Sequence, residues 1–469
     1  MNKFRIEEDS LGEVRVPHDA YWGPQTQRAV DNFPVSGMTF PPVFIRAMVL
    51  IKRACAGVNR DLRLLDAKIS DAVVRVCDEI IGGGLSDQFP LDVFQTGSGT
   101  STNMNVNEVI ATRANELLTG SRHAKNPVHP NDHVNLGQSS NDVIPTAIHI
   151  AAYLLTTETL LPALELLHGA IRDKQKKYAN IVKTGRTHLM DAMPITLGQE
   201  MSAWSTQVAN ARTRVEETLP RIAELAIGGT AVGTGINTQR AFGALVTKEL
   251  SRSTKIKFVE APNHFEAQSA QDAVTELSGQ LKTYATSLMK ISNDLRWMNS
   301  GPIAGLGEVR LPSLQPGSSI MPGKVNPVIA ESARMVSAQV IGNDTTIAIA
   351  NALGDFQLNV MMPVIAHNIL QSISLLANIS RLLASKAIEE IEVDEARLSE
   401  FIHRNPIIAT VLNPIIGYDK AVEVVKKAIN EKKTVKQVVV ELRYLSAAEA
   451  NRILDPVVMT KPGFSGKTR

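Results

Sequence analysis

The 469-residue chain is 44% hydrophobic and 20% charged, an ordinary balance for a globular protein and enough to bury a large core, with two or three domains expected from length alone. Lysine and arginine number 49 against 47 aspartates and glutamates, so a balance of +2 gives no overall field to gather nucleic acid or an anionic membrane. Any anion must be held by a local site, and two cysteines, Cys55 and Cys77, are too few for a disulfide framework or a four-cysteine iron–sulfur cluster. Both read as buried small apolar residues.

In chain order, the opening MNKFRIEEDSLGEVRVP has acids within its first ten residues and no apolar run, unlike a signal or transit peptide. No apolar stretch is expected to reach the roughly 18 residues of a membrane span, and the expected location is cytoplasmic. Pro34, Pro41, Pro42 and the run Gly82 to Gly84 punctuate two expected helices, and this first part ends in loop-like text, GSRHAKNPVHPNDHVNLGQSSN. From Asp142 to His168 the chain is rich in Ala, Leu and Ile, with Ser140 or Asn141 as N-cap, Pro145 near the first turn, and Pro162 placed to kink or divide the helix. Further long apolar-periodic segments run from about Leu197 to Ala226, Glu266 to Met298, Val328 to Ala350 and Leu358 to Ala387. Helices this long are most easily buried in a bundle shared between subunits, which predicts a homo-oligomer. From Glu395 a small helical appendage is expected, opened by turns at Asn405-Pro406 and Asn413-Pro414. The expected division is 1–138, 139–394 and 395–469.

Four polar stretches interrupt this pattern: TGSGTSTNMNVNE (Thr96 to Glu108), HPNDHVNLGQSSND (His129 to Asp142), GRTHLMD (Gly185 to Asp191) and GSSIMPGKVNP (Gly317 to Pro327). Each is expected at or just before the start of a helix, where backbone N–H groups attract anions. In the last of them Gly317 and Gly323 permit tight backbone and Pro322 stiffens the loop, leaving Ser318, Ser319, Lys324 and Asn326 as donors for a small polyanion. The bland alternative is a flexible Gly/Ser/Pro linker. His188 is a candidate acid, base or substrate donor, gaining weight with a partner to orient it; Glu331, in the first turns of the following helix, is the candidate. Structural roles for both, a loop histidine and a first-turn acid favoured by the helix dipole, are the alternatives. HPNDH lacks the helical histidine pair with a catalytic Glu of a metalloprotease site, Pro130 stiffening the stretch as a turn, and the chain has no GxGxxG after a strand, no GxxxxGKS/T and no GxSxG elbow. The glycine-rich run from Gly228 to Gly235 has no lysine after it and reads as a tight connection between long helices.

GSSIMPGKVNP resembles the signature of the fumarase/aspartase superfamily. TGSGT with NMNVNE, HPND with QSSND, GRTH with LGQE, GGTAVGTG, and SNDLRW with SGP resemble the class II fumarases in the expected order and cover nearly the whole chain. The resemblance implies an all-α, three-domain homotetramer with a central helical bundle, no metal or other cofactor, and active sites each built from three subunits. It implies reversible hydration of fumarate to (S)-malate, a citric-acid-cycle step, through an aci-carboxylate carbanion. By the family pattern Ser318 would be the base, and His188, oriented by Glu331, would handle the proton of the departing hydroxyl or position the water. Ser98, Gly99, Thr100, Ser139, Ser140, Asn141, Thr187, Ser319, Lys324, Val325 and Asn326 would bind the substrate, and His129, Pro130, Asn131 and Asp132 match a second dicarboxylate site. Asn126 stands where the bacterial fumarases tend to carry a basic residue near that second site, which departs from the pattern. NPVIAE, GNDTT and MTKPG look more like the aspartases, so ammonia elimination from aspartate is the alternative activity, and a catalytically inactive structural relative a further one. TGSGT, Ser139-Ser140 and NDLRW favour fumarase.

Overall fold

The computed structural model describes residues 4–122 and 125–463. The ends of the expected first and last parts (1–3 and 464–469) and two residues of the loop text before position 141 (123–124) lie outside them. The fold is all-α in class: strands among the described residues occur only as two-stranded pairings. By contacts the chain forms two compact units, one of residues 1–162, 211–285 and 338–377, the other of 163–210, 286–337 and 378–469.

The first unit begins with an antiparallel hairpin, β1 (Phe4–Asp9) and β2 (Gly12–Pro17), which sequence reading identified only as a non-targeting segment. Four helices follow rather than the two expected: α1 (Pro24–Asn32), α2 (Pro42–Asp61), α3 (Ala67–Ile81) and α4 (Thr100–Thr119). Gly23 gives α1 no side-chain cap, and Glu108 from α4 takes that role, accepting from the backbone N–H groups of Gly23, Gln25 and Thr26. α2 packs on α3; Met48, Ile51 and Cys55 of the one and Val73, Val76 and Cys77 of the other are all fully buried, and desolvation pushes both thiols up.

α5 (Ser140–Leu155) ends in a π turn, Thr156–Leu160, before α6 (Leu161–Lys177). Pro162 does divide the helix: its ring and missing N–H are accommodated by the wider turn just ahead of it. α7 (Leu197–Ile222) is followed by α8 (Phe242–Thr254), α9 (His264–Ser269) and α10 (Asp272–Met298), so the segment expected from Glu266 is broken at Ala270, whose backbone is extended. Then come α11 (Val328–Ala352), α12 (Met362–Leu383) and α13 (Glu395–Arg404).

The long helices owe their form to stripes of buried residues three and four apart. In α10 Val274, Leu277, Leu281, Tyr284, Leu288, Ile291 and Leu295 are all essentially inaccessible, a seven-residue repeat that keeps one seam turned to its neighbours. Each such large apolar side chain contributes about 1.5–3 kcal/mol on burial. Contrary to expectation, two stretches, Ser140–Lys177 and Met362–Ile388, are long and apolar enough to cross a membrane by length and composition; half and two thirds of their apolar windows are buried within the protein, as in core helices. In the second unit the C-terminal appendage has its own core, with Leu412, Val424, Val438, Val439 and Ala450 buried together.

Candidate active site

In the first unit, the turn Thr96–Thr100 leads into α4 through Gly99, whose φ of +71° lies in the left-handed region. Ser98 Oγ and Thr100 Oγ1 share a hydrogen bond of 2.9 Å. His129 stands before a short π turn, Pro130–Val134, where its Nδ1 accepts from the N–H groups of Asn131 and Asp132, 3.2 Å each. That nitrogen is therefore an acceptor, and the Asp132 carboxylate 3.3 Å away receives no proton from it. Ser139 caps α5, its Oγ accepting from Asn141 N while Asp142 Oδ1 accepts from Ser139 N.

Asp142 does more than complete this capping box. Its Oδ2 accepts from the N–H groups of Gly228 and Thr230, and Asn141 Nδ2 donates to Ala231 O, so the glycine-rich run is fastened to the N-terminus of α5. Burial raises the Asp142 pKa against the opposing effect of those N–H donors. The run does connect helices, but its contact with α5 was not legible in its own composition.

In the second unit GRTHLMD is not a helix entry. β3 (Val182–Thr187) and β4 (Met190–Thr196) pair antiparallel with Thr187 opposite Met190, leaving His188 and Leu189 as a two-residue turn with φ of +55° and +61°. His188 is thus presented, exposed, at a hairpin tip, and α7 starts only at Leu197. The hairpin is anchored by buried charge. Lys183 pairs with Glu200 and, at 3.0 Å, with Glu308, whose other oxygen lies 2.7 Å from Arg186.

The signature loop closes on itself. Gly317 N donates to Lys324 O at 2.7 Å and Asn326 Nδ2 to Gly317 O at 2.8 Å, and a Cβ on Gly317 would sit 2.6 Å from that same Lys324 oxygen. Ser318 Oγ accepts from Ile320 N at 3.2 Å and Met321 N at 3.0 Å. Two N–H dipoles aimed at one hydroxyl oxygen favour its deprotonated form. Lys324, Asn326 and Glu331 line a cavity of about 560 Å³ together with Arg296, Asn299 and Asp394.

The expected residues therefore fall in two sets: Ser98, Gly99, Thr100, His129 to Asp132 and Ser139 to Asn141 in the first unit, and Thr187, His188, Ser318, Ser319, Lys324, Val325, Asn326 and Glu331 in the second. Within the second set, no hydrogen bond joins His188 to Glu331 among the described residues. Asp142, Glu308, Lys183 and a buried lysine, Lys52, escaped sequence reading; only Asp142 carried a signal, as the fourth residue of a capping box.

Comparison with known proteins matches residues 12–342 to a lyase family and residues 408–461 to the fumarase C C-terminus family. The chain is 53% identical over 463 residues to the fumarate hydratase class II of Xylella fastidiosa, covering 99% of this chain and 97% of that protein. To the fumarate hydratase class II of Halobacterium salinarum it is 54% identical, covering 98% of each. The crystal structure of the recombinant class II fumarase from Schistosoma mansoni superimposes with a TM-score of 0.95 at 40% identity, over 97% of this chain and 99% of that one. The chain belongs to the class II fumarase family of lyases.

Proposed function

We propose that the protein catalyses the reversible hydration of fumarate to (S)-malate. The observation that carries this reading is the signature loop, where Ser318 Oγ faces two backbone donors in the same closed turn that presents Lys324 and Asn326. In the dehydration direction the Ser318 alkoxide takes the proton from the carbon next to one carboxylate. The electron pair moves into that carboxylate as an aci-carboxylate dianion, whose added charge Lys324 and the turn at Ser319 stabilise. It returns to form the C=C bond as hydroxide leaves the neighbouring carbon, and His188, directly or through water, delivers the proton that makes it water.

Ser98, Gly99, Thr100, Ser139, Ser140, Asn141, Thr187, Val325 and Asn326 hold the two carboxylates in this reading, and His129, Pro130, Asn131 and Asp132 form a second dicarboxylate site. Glu331 orients His188 across a subunit boundary in a homotetramer, which accommodates the lack of a bond between them within one chain. The division into parts 1–138, 139–394 and 395–469, and a cytoplasmic location, belong to the same proposal. Relatives named fumarate hydratase at about half identity over nearly the whole length support water rather than ammonia as the leaving group. The test supplies malate to one cuvette and aspartate to another, and follows fumarate by its ultraviolet absorbance. Fumarate from malate alone is expected; fumarate from aspartate alone would overturn the assignment.

A further inference from the structure

The turn Ser139–Asn141 carries no charge of its own, yet beneath it lies a buried cation. Lys52, on α2, is fully buried. Its Nζ donates to Asn135 Oδ1 and Gln138 Oε1, each at 2.9 Å, and both acceptors are neutral amides. Asn135 is the centre of a larger cluster: its Oδ1 also accepts from Asn103 and Asn107 of α4, and its Nδ2 donates to Gln138 O. Asn103 in turn donates to Ser140 Oγ at 3.0 Å. A continuous set of hydrogen bonds thus runs from the ammonium through Asn135 and Asn103 to a hydroxyl of the turn.

An ammonium satisfied only by amide oxygens is expensive to bury, so a purely structural role would be filled more cheaply by an apolar side chain. We propose that Lys52 is a positioning residue that supplies, from behind, the positive charge with which the uncharged Ser139–Asn141 turn holds a substrate carboxylate. The proposal rests on reading that turn as a carboxylate site.

The charged and titratable groups that face Lys52 are few. They are Asp142 from α5, Cys55 on its own helix and Cys77 on α3, while α4 offers the neutral Asn103 and Asn107, and Glu249 of α8 is engaged with Arg53 and Arg252. Burial outweighs the pull of Asp142 and brings the Lys52 pKa down to about 8. Substrate affinity should therefore weaken as pH rises past 8. Fold stability moves the other way: the folded chain releases this proton near 8 and the unfolded chain only near 10.5, so the unfolded state binds more protons between them and this group's contribution to stability rises with pH. Weaker binding at high pH is then separable from unfolding.

The experiment compares the parent with Lys52→Met, measuring malate affinity by calorimetry and malate turnover from pH 6.5 to 9.5, with melting temperature alongside. In the parent, KM and the dissociation constant are expected to rise between pH 7 and 9 without a fall in melting temperature. In the variant affinity at pH 7 drops by at least about tenfold, kcat changes far less than KM, and the rise with pH disappears. Parent-like affinity and pH dependence in the variant overturn the proposal. Should the variant fail to fold, the parent alone decides, since malate affinity flat from pH 7 to 9.5 overturns it as well. Turnover that ignores the substitution removes this inference and leaves the hydratase reading standing; Lys52-dependent malate binding without turnover does the reverse.

Discussion

As the proposed base, Ser318 needs its deprotonated form stabilised, and its own loop supplies donors for that. A free serine hydroxyl is far too weak an acid to serve as a base near neutrality, and the turn answers with two N–H groups, those of Ile320 and Met321, directed at Oγ. The donors belong to exposed residues, so removing Oγ leaves them to water rather than stranding them in the core. Ser318→Ala is therefore expected to lower kcat by about 10²–10⁴-fold, the range for a lost general base, while the melting temperature stays within a degree or two. Steady-state malate kinetics and thermal denaturation check both halves; a variant with half the parental kcat would show that another group removes the proton. The tight backbone of the loop was legible in GSSIMPGKVNP because glycine and proline dictate their conformation locally. The placement of His188 was not, since nothing in the spacing reveals that the histidine sits on a two-residue turn with positive φ.

At the scale of elements, the hairpin that carries His188 depends on a buried group of charges. Lys183 and Glu308 are buried, and each touches two partners of opposite sign. Glu308 is also tied through its backbone, with its N–H donating to Met298 O and its carbonyl accepting from Asp394 N, so it links the hairpin to the chain segment entering the signature loop. Glu308→Gln leaves Lys183 and Arg186 with Glu200 as the only carboxylate of the group, and breaking a buried pair from one side costs about 3–5 kcal/mol. A clear drop in the denaturation midpoint is expected, together with lower malate turnover as the His188 tip loses its fixed position. An unchanged midpoint would mean that the charges are not coupled. Sequence reading recovered the long helices because their apolar repeats extend over many turns, as in α10. It missed this hairpin because two short strands, with a register shift between Thr184 and Arg186, give alternation too brief to distinguish from a loop. Charges that meet across a hundred residues, such as Lys183 and Glu308, leave no local trace at all.

For the whole molecule, the exposed apolar residues say what a single chain leaves uncovered. In the first unit Phe94, Ile349, Leu353, Phe356 and Val360 are all exposed, Phe356 at 93%, although nearby α10 and α12 bury nearly every large apolar residue they carry. Phe94, Ile349 and Val360 line an apolar cavity of about 260 Å³ that also includes Gly97 of the Thr96–Thr100 turn. Gly97 leaves no slack there, since a Cβ at that position would lie 1.8 Å from Val360 O. A neighbouring subunit seated on this surface would therefore bury the apolar residues and press on the turn that holds a substrate carboxylate in the proposed site. Ile349→Asp places a charge on that surface; in a lone chain, at an exposed helix position, it should change stability by only about 0.5 kcal/mol. Against a partner it would bury an unpaired carboxylate and oppose assembly. Light scattering is expected to show the parent as four chains of 50.9 kDa and the variant as smaller species, with malate turnover falling in parallel as protein concentration is lowered. A variant that keeps the parental mass and activity at every concentration would locate the subunit contacts elsewhere and leave this apolar surface without a partner.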